Sequence, residues 1–161
     1  MSRIVAFILL ACLLLAVKHA RAVSLPTSWS INVGGISHHT GGDRNGQNPG
    51  LGIEARWSDT WAATAGQLRN SQGTKSHYLA ALYTPWTPST PVVGRLHIGG
   101  VAGLIDGYQL NSGRVVPMAG PAIEKRWSAA ALGLAWFPPI NGVSKGALFL
   151  MLKLEVPYGG L

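Results

Sequence analysis

At 161 residues the chain has room for one domain. Only 12% of its residues are charged and 47% are hydrophobic, against roughly a quarter charged in an ordinary soluble domain, which argues against a surface bathed mostly in water. The formal charge of +7 is scattered along the chain rather than gathered on one face, which excludes a nucleic-acid footprint.

Residues 1–22 read as a cleaved signal peptide that stands outside the fold. Arg3 opens a positive n-region, Ile4 to Val17 is apolar, and Ala20-Arg21-Ala22 fits the small-x-small rule for a cut before Val23. A spanning helix needs about 20 apolar residues, and Lys18, His19 and Arg21 interrupt the run. Leu9-Leu10-Ala11-Cys12 also fits a lipoprotein cleavage box, but the apolar run continues past Cys12 to Val17 and favours the later cut. That cut removes the only cysteine, so no disulfide or thiol chemistry is expected in the mature protein. It also removes Arg3, Lys18 and Arg21, leaving ten Lys and Arg against six Asp and Glu, a mild attraction to anionic headgroups.

From residue 23 onward the spacing of turn signals predicts a single all-β domain of eight strands. They run Trp29 to Ser37, Gly50 to Trp57, Trp61 to Asn70, Lys75 to Thr84, Val92 to Ile105, Val115 to Trp127, Ser128 to Phe137 and Lys145 to Tyr158. In the last, Leu148, Leu150, Leu152, Leu154, Val156 and Tyr158 hold every second position, and the residues between them turn charged at Lys153 and Glu155. In the second, Leu51, Ile53, Ala55 and Trp57 alternate with Gly52, Glu54 and Arg56; in the fifth, Ile98, Ala102 and Leu104 oppose Arg95 and His97. Closing these strands into an antiparallel up-and-down barrel brings Glu54, Arg56, Arg95, His97, Lys153 and Glu155 into one interior, where buried charges are tolerable only when paired. The alternative, with the same residues on the wet face of a soluble sandwich, leaves the Trp, Leu and Ile rows and the export signal unexplained.

The connections follow the same plan. With the N-terminus on the periplasmic side, His38 to Pro49, Ser71 to Thr74, Asp106 to Arg114 and Pro138 to Ser144 face outward, while Ser58-Asp59-Thr60 and Trp127-Ser128 are tight inward turns. Pro85 to Pro91 is the long exception. Trp29, Trp57, Trp61, Trp86, Trp127 and Trp136 fall mostly at segment ends, as a girdle at headgroup level would. Pro117 and Pro121 in the sixth strand cannot donate to a ladder, so a bulge or a gap in the wall is expected between them, a place to admit a lipid chain sideways.

The cluster with chemical potential is Ser37-His38-His39 with Asp43, a histidine base oriented by a carboxylate and Ser37 as a candidate nucleophile. Adjacent strand residues point to opposite faces, so only one of His38 and His39 can look into a given site. A metal site is not supported, because no fourth ligand stands at a diagnostic spacing. Asn48-Pro49-Gly50-Leu51-Gly52 lacks the lysine and following helix of a phosphate loop, and no G-x-S-x-G elbow is present. No cofactor is expected.

The stretch H-H-T-G-G-D-R-N-G-Q-N-P-G-L-G-I-E, with the later G-Q-L-R-N-S and S-H-Y-L-A-A-L-Y-T-P, resembles a group of bacterial or phage-borne small outer-membrane barrels. As architecture the chain is similar to the eight-stranded class that includes the lipid A palmitoyltransferase and deacylase. The resemblance implies a monomer in the outer membrane of a Gram-negative cell, in contact with outer-membrane lipid and lipopolysaccharide and with no nucleic-acid partner. Its expected role is structural or interactive, through loops 38–49 and 106–114. An enzyme acting on lipid A acyl chains through His38 or His39 with Asp43 is the second expectation, with no residue assigned from the family. The third is a soluble periplasmic barrel holding an apolar ligand, which requires the Leu148 to Val156 row to point inward.

Overall fold

The computed structural model describes residues 24–40, 45–109, 112–140 and 144–156. The leader with Cys12, the carboxylate of Asp43 and the terminal Tyr158 lie outside the described residues. Eight antiparallel strands form the wall: β1 (Ser28–His39), β2 (Gly50–Arg56), β3 (Trp61–Arg69), β4 (Lys75–Trp86), β5 (His97–Ile105), β6 (Val116–Arg126), β7 (Ala130–Ile140) and β8 (Ser144–Val156). Each pairs with its neighbour in sequence, and β8 returns to pair with β1 from Trp29↔Val156 to His39↔Ala147. The result is a closed up-and-down barrel with no free sheet edge. Its two ends differ: one carries the short turns at 57–60 and 127–129, the other the connections at 40–49, 70–74 and 106–115. They are called here the turn end and the loop end.

The strands form where the period of two is cleanest, because that alternation matches the pleat. Two details differ from the sequence expectation. β5 starts at His97 rather than Val92, since 87–96 folds into a turn of its own carrying the two-residue ladder of Ser89–Thr90 with Gly94–Arg95. Between Asn32 and Gly35, β1 slips its register against β8. Gly34 takes φ +70° there, which glycine adopts without a Cβ penalty.

The prolines act on a different seam from the one anticipated. The β5–β6 ladder runs unbroken from His97↔Glu124 through Pro121 and Pro117 to Ile105↔Val116. The β6–β7 ladder covers only Arg126↔Ala131 to Ala122↔Ala135, although both strands continue toward the loop end. With the β5 side intact, the donors missing at Pro117 and Pro121 are those that would have served β7.

Candidate functional site

The interior is built from the strand positions that alternate with the large apolar residues. Toward the turn end it holds an ionic cluster drawn from β2, β6 and β8. Arg56 donates from Nη2 to Glu54 Oε1 at 2.6 Å and to Glu124 Oε1 at 2.8 Å. Lys153 Nζ donates to Glu54 Oε2 at 2.5 Å and also pairs with Glu124, to which Arg126 adds a further bond. Glu54 is 1% exposed and Lys153 3%, so every carboxylate oxygen is met by a cation in a place with little water, as buried charges require. His97 faces Glu124 across the β5–β6 register and is buried beside this cluster.

Above the cluster, Asn32 Nδ2 donates to Thr64 Oγ1 at 2.7 Å and to Tyr78 Oη at 3.3 Å. Gly52 and Gly66, partners across β2 and β3, make room for that phenol: a Cβ on Gly52 would lie 2.3 Å from it. Beyond this layer the lining turns apolar, and a chamber of about 190 Å³ opens among Leu68, Ala80, Val101, Ile105, Met118 and Phe149. Glu54, Glu124 and Lys153 form its floor.

At the loop end Ser37 and His39 line the same chamber. The register slip at Gly34 puts both on the inner face, with His38 exposed outside. His39 Nδ1 lies 3.2 Å from the carbonyl of Gly146, which only accepts, so in the neutral ring Nδ1 carries the proton. Its Nε2 is then an acceptor, 3.2 Å from Ser37 Oγ. A serine whose hydroxyl points at an anchored imidazole has the orientation of a nucleophile with its base. Asp43, the expected orienting carboxylate, lies outside the described residues; the carbonyl of Gly146 performs the anchoring that is visible.

A staple of hydrogen bonds ties the loop-end connections together. Asn70, fully buried, donates from Nδ2 to Ser76 Oγ at 2.9 Å and Gly107 O at 3.0 Å, and accepts from the backbone of Gln72 and Thr74. Asp106 accepts from the His77 backbone N–H at 2.6 Å and meets its imidazole at 3.1 Å. The backbone bond, with the imidazole behind it, holds the Asp106 carboxyl below the usual carboxylate range.

Of the interior set expected from sequence, Glu54, Arg56, Lys153 and buried His97 are brought together. Glu155 is on the inner face nearer the turn end, accepting from Ser30 Oγ at 3.5 Å. Arg95 is a correction: it is exposed, on the 87–96 turn rather than in the wall, where it pairs with Ser89 and its carbonyl accepts from Lys125. Glu124 and Arg126 take the place expected of it. They escaped notice because Pro117 and Pro121 obscured the alternation of β6, although Glu124 and Arg126 stand two apart, as two residues on one strand face must.

The outer face is apolar. Leu51 and Leu79 are each 59% exposed and Trp86 66%. The row Leu148, Leu152, Leu154 and Val156 is exposed as well, so the inward leucine row that the soluble ligand-binding barrel requires is not the arrangement found. Comparison with models of known protein families finds no match, and a search of curated proteins finds none either.

Proposed function

We propose that the protein is an integral barrel of the outer membrane of a Gram-negative cell, holding a hydrocarbon ligand in its loop-end chamber. The observation that carries this reading is the inverted distribution of side chains: a satisfied ionic cluster inside and a continuous Leu, Ile and Trp surface outside. In water, each Å² of that outer surface would forgo about 25 cal/mol of burial; facing lipid it forgoes none. A closed wall also presents no free edge strand to the hydrocarbon. The ionic floor and the small chamber leave no room for a porin-type channel. Cell fractionation followed by unheated and heated gel electrophoresis tests it. Recovery with the outer membrane and faster migration without heating are expected. Recovery from the soluble periplasm with no heat-dependent shift would overturn it.

One observation favours a second reading, an enzyme that cleaves or transfers acyl groups: the Ser37–His39 pair opens on the same apolar chamber. In that reaction Ser37 Oγ attacks an ester carbonyl and its proton passes to His39 Nε2. The ester C–O bond then breaks, and the departing alcohol takes that proton. Water or a second alcohol, deprotonated by His39, releases the acyl group and restores Ser37. Ser37→Ala should then abolish ester cleavage by several orders of magnitude while keeping the heat-dependent gel shift. Mass spectrometry of lipid A with and without the gene is the cellular test, and an unchanged acyl pattern together with no Ser37-dependent ester cleavage would discard the enzyme.

A further inference from the structure

We infer that the long 87–96 turn and the turn end of β6 together bind the phosphodiester of an anionic phospholipid, a site that rests on the membrane reading above. Glu124 and Arg126 take the inner face of β6, so Lys125 between them stands on the outer face. Two residues before it Ile123 is exposed, and two residues after it so is Trp127. The ammonium thus emerges where the apolar wall gives way to the indoles of the turn end, the depth at which headgroups lie. The 87–96 turn comes to meet it there. Lys125 Nζ donates to the carbonyl of Arg95 at 3.3 Å, and a Cβ on Gly94 would lie 2.9 Å from the same nitrogen. On its other side Lys125 lies over the ring of Trp127.

These two cations have no acid to answer them. Neither Arg95 nor Lys125 is in an ion pair with a carboxylate among the described residues. Asp59, an exposed acid at the same end, already faces Arg126 at 3.8 Å. A phosphodiester carries one negative charge on two free oxygens: a planar guanidinium can span both, and the ammonium N–H groups that the Arg95 carbonyl leaves over can meet one. A zwitterionic headgroup brings a cation of its own and gains less from the pair. The surroundings select a lipid over free phosphate, because Trp86 at the base of the turn and Val92 and Val93 at its tip are exposed and apolar. The ladder of Ser89–Thr90 with Gly94–Arg95, and prolines at 85, 88 and 91, fix the turn in place. A connection far longer than the barrel needs for a tight return thereby acquires a role: it carries Arg95 to Lys125.

The test uses the full chain purified from membranes in detergent, given phosphatidylglycerol and phosphatidylcholine of matched acyl chains in equal amounts, with the retained lipid identified by native mass spectrometry. Retention of phosphatidylglycerol in preference to phosphatidylcholine is expected. Arg95→Gln and Lys125→Gln should each lower that preference about fivefold, and the pair about 25-fold, in protein that keeps its heat-dependent gel shift. Lys125→Arg, which keeps the charge, should retain the preference, and Lys75→Gln at the loop end should leave it unchanged. Equal retention of the two lipids, or a preference that survives the double substitution, overturns the headgroup site; a gel shift that persists in the same samples leaves the membrane reading standing. Displacement of phosphatidylglycerol by millimolar inorganic phosphate also overturns it, by making the pair a site for the free ion. Loss of the preference in Lys75→Gln overturns it too, by moving the contact to the other end of the barrel. Absence of the gel shift in the unsubstituted protein overturns the membrane reading and the headgroup site with it.

Discussion

Which of two adjacent histidines meets Ser37 is decided by Gly34. Without the register slip at 32–35, the alternation that points Ser30 and Asn32 inward would turn Ser37 and His39 outward and bring His38 in. An alanine at position 34 has to hold φ near +70°, which costs about 1–2 kcal/mol, with its Cβ 3.0 Å from Asn48 O. Gly34→Ala should lower the temperature at which the gel shift is lost. If the strand relieves the strain by shifting phase, His38 should gain protection from diethyl pyrocarbonate and His39 lose it. The same substitution at Gly73, also at positive φ but with open space around it, should change stability without changing which histidine reacts.

At the level of strands and connections, the chain is stapled at both ends of the barrel. The ionic cluster joins β2, β6 and β8, which are distant in sequence. Removing one partner leaves an uncompensated buried charge, so Lys153→Met should destabilise by about 3–5 kcal/mol, read as an earlier loss of the gel shift in urea. Exposed Lys75→Met should change it by no more than about 0.5 kcal/mol. At the loop end, Asp106 holds the 106–115 connection to β4 through the His77 amide. Its carboxyl is lowered in the folded state, so its contribution is fully present above the unfolded value, about 4, and is lost as pH falls through the lowered folded value. Hydrogen exchange should find the His77 amide protected at about pH 5 and opening only below about pH 4. An onset near neutral pH would contradict this assignment.

Across the whole barrel, the tryptophans gather at one end rather than in two girdles. Trp29, Trp57, Trp61, Trp86 and Trp127 sit at the turn end, where Trp61 and Tyr83 stack with centroids 4.4 Å apart and Lys125 lies 5.8 Å over Trp127. Trp136 alone of the six lies in the loop-end half, opposite Leu148. On the membrane reading the turn end is anchored in one interface by indole rings. Tryptophan fluorescence in vesicles should then be quenched more by lipids brominated near the headgroup than by lipids brominated at the chain end; the reverse order would place these rings at the wrong depth.

The strand count, the closed up-and-down order and the identity of the inner and outer rows around Glu54 and Lys153 were legible in the amino-acid sequence, because alternation is a property of the pleat and repeats within a few residues. Tertiary structure decided what depends on closure. Glu124 and Arg126 rather than Arg95 complete the ionic cluster, because β6 crosses the interior from β2 and β8 while Arg95 falls on a turn. His39 rather than His38 reaches Ser37 because one glycine changes the phase of β1. The prolines open the seam toward β7 and spare the one toward β5, because an antiparallel strand offers its N–H groups to its two neighbours in turn, and only the assembled barrel settles which neighbour goes without.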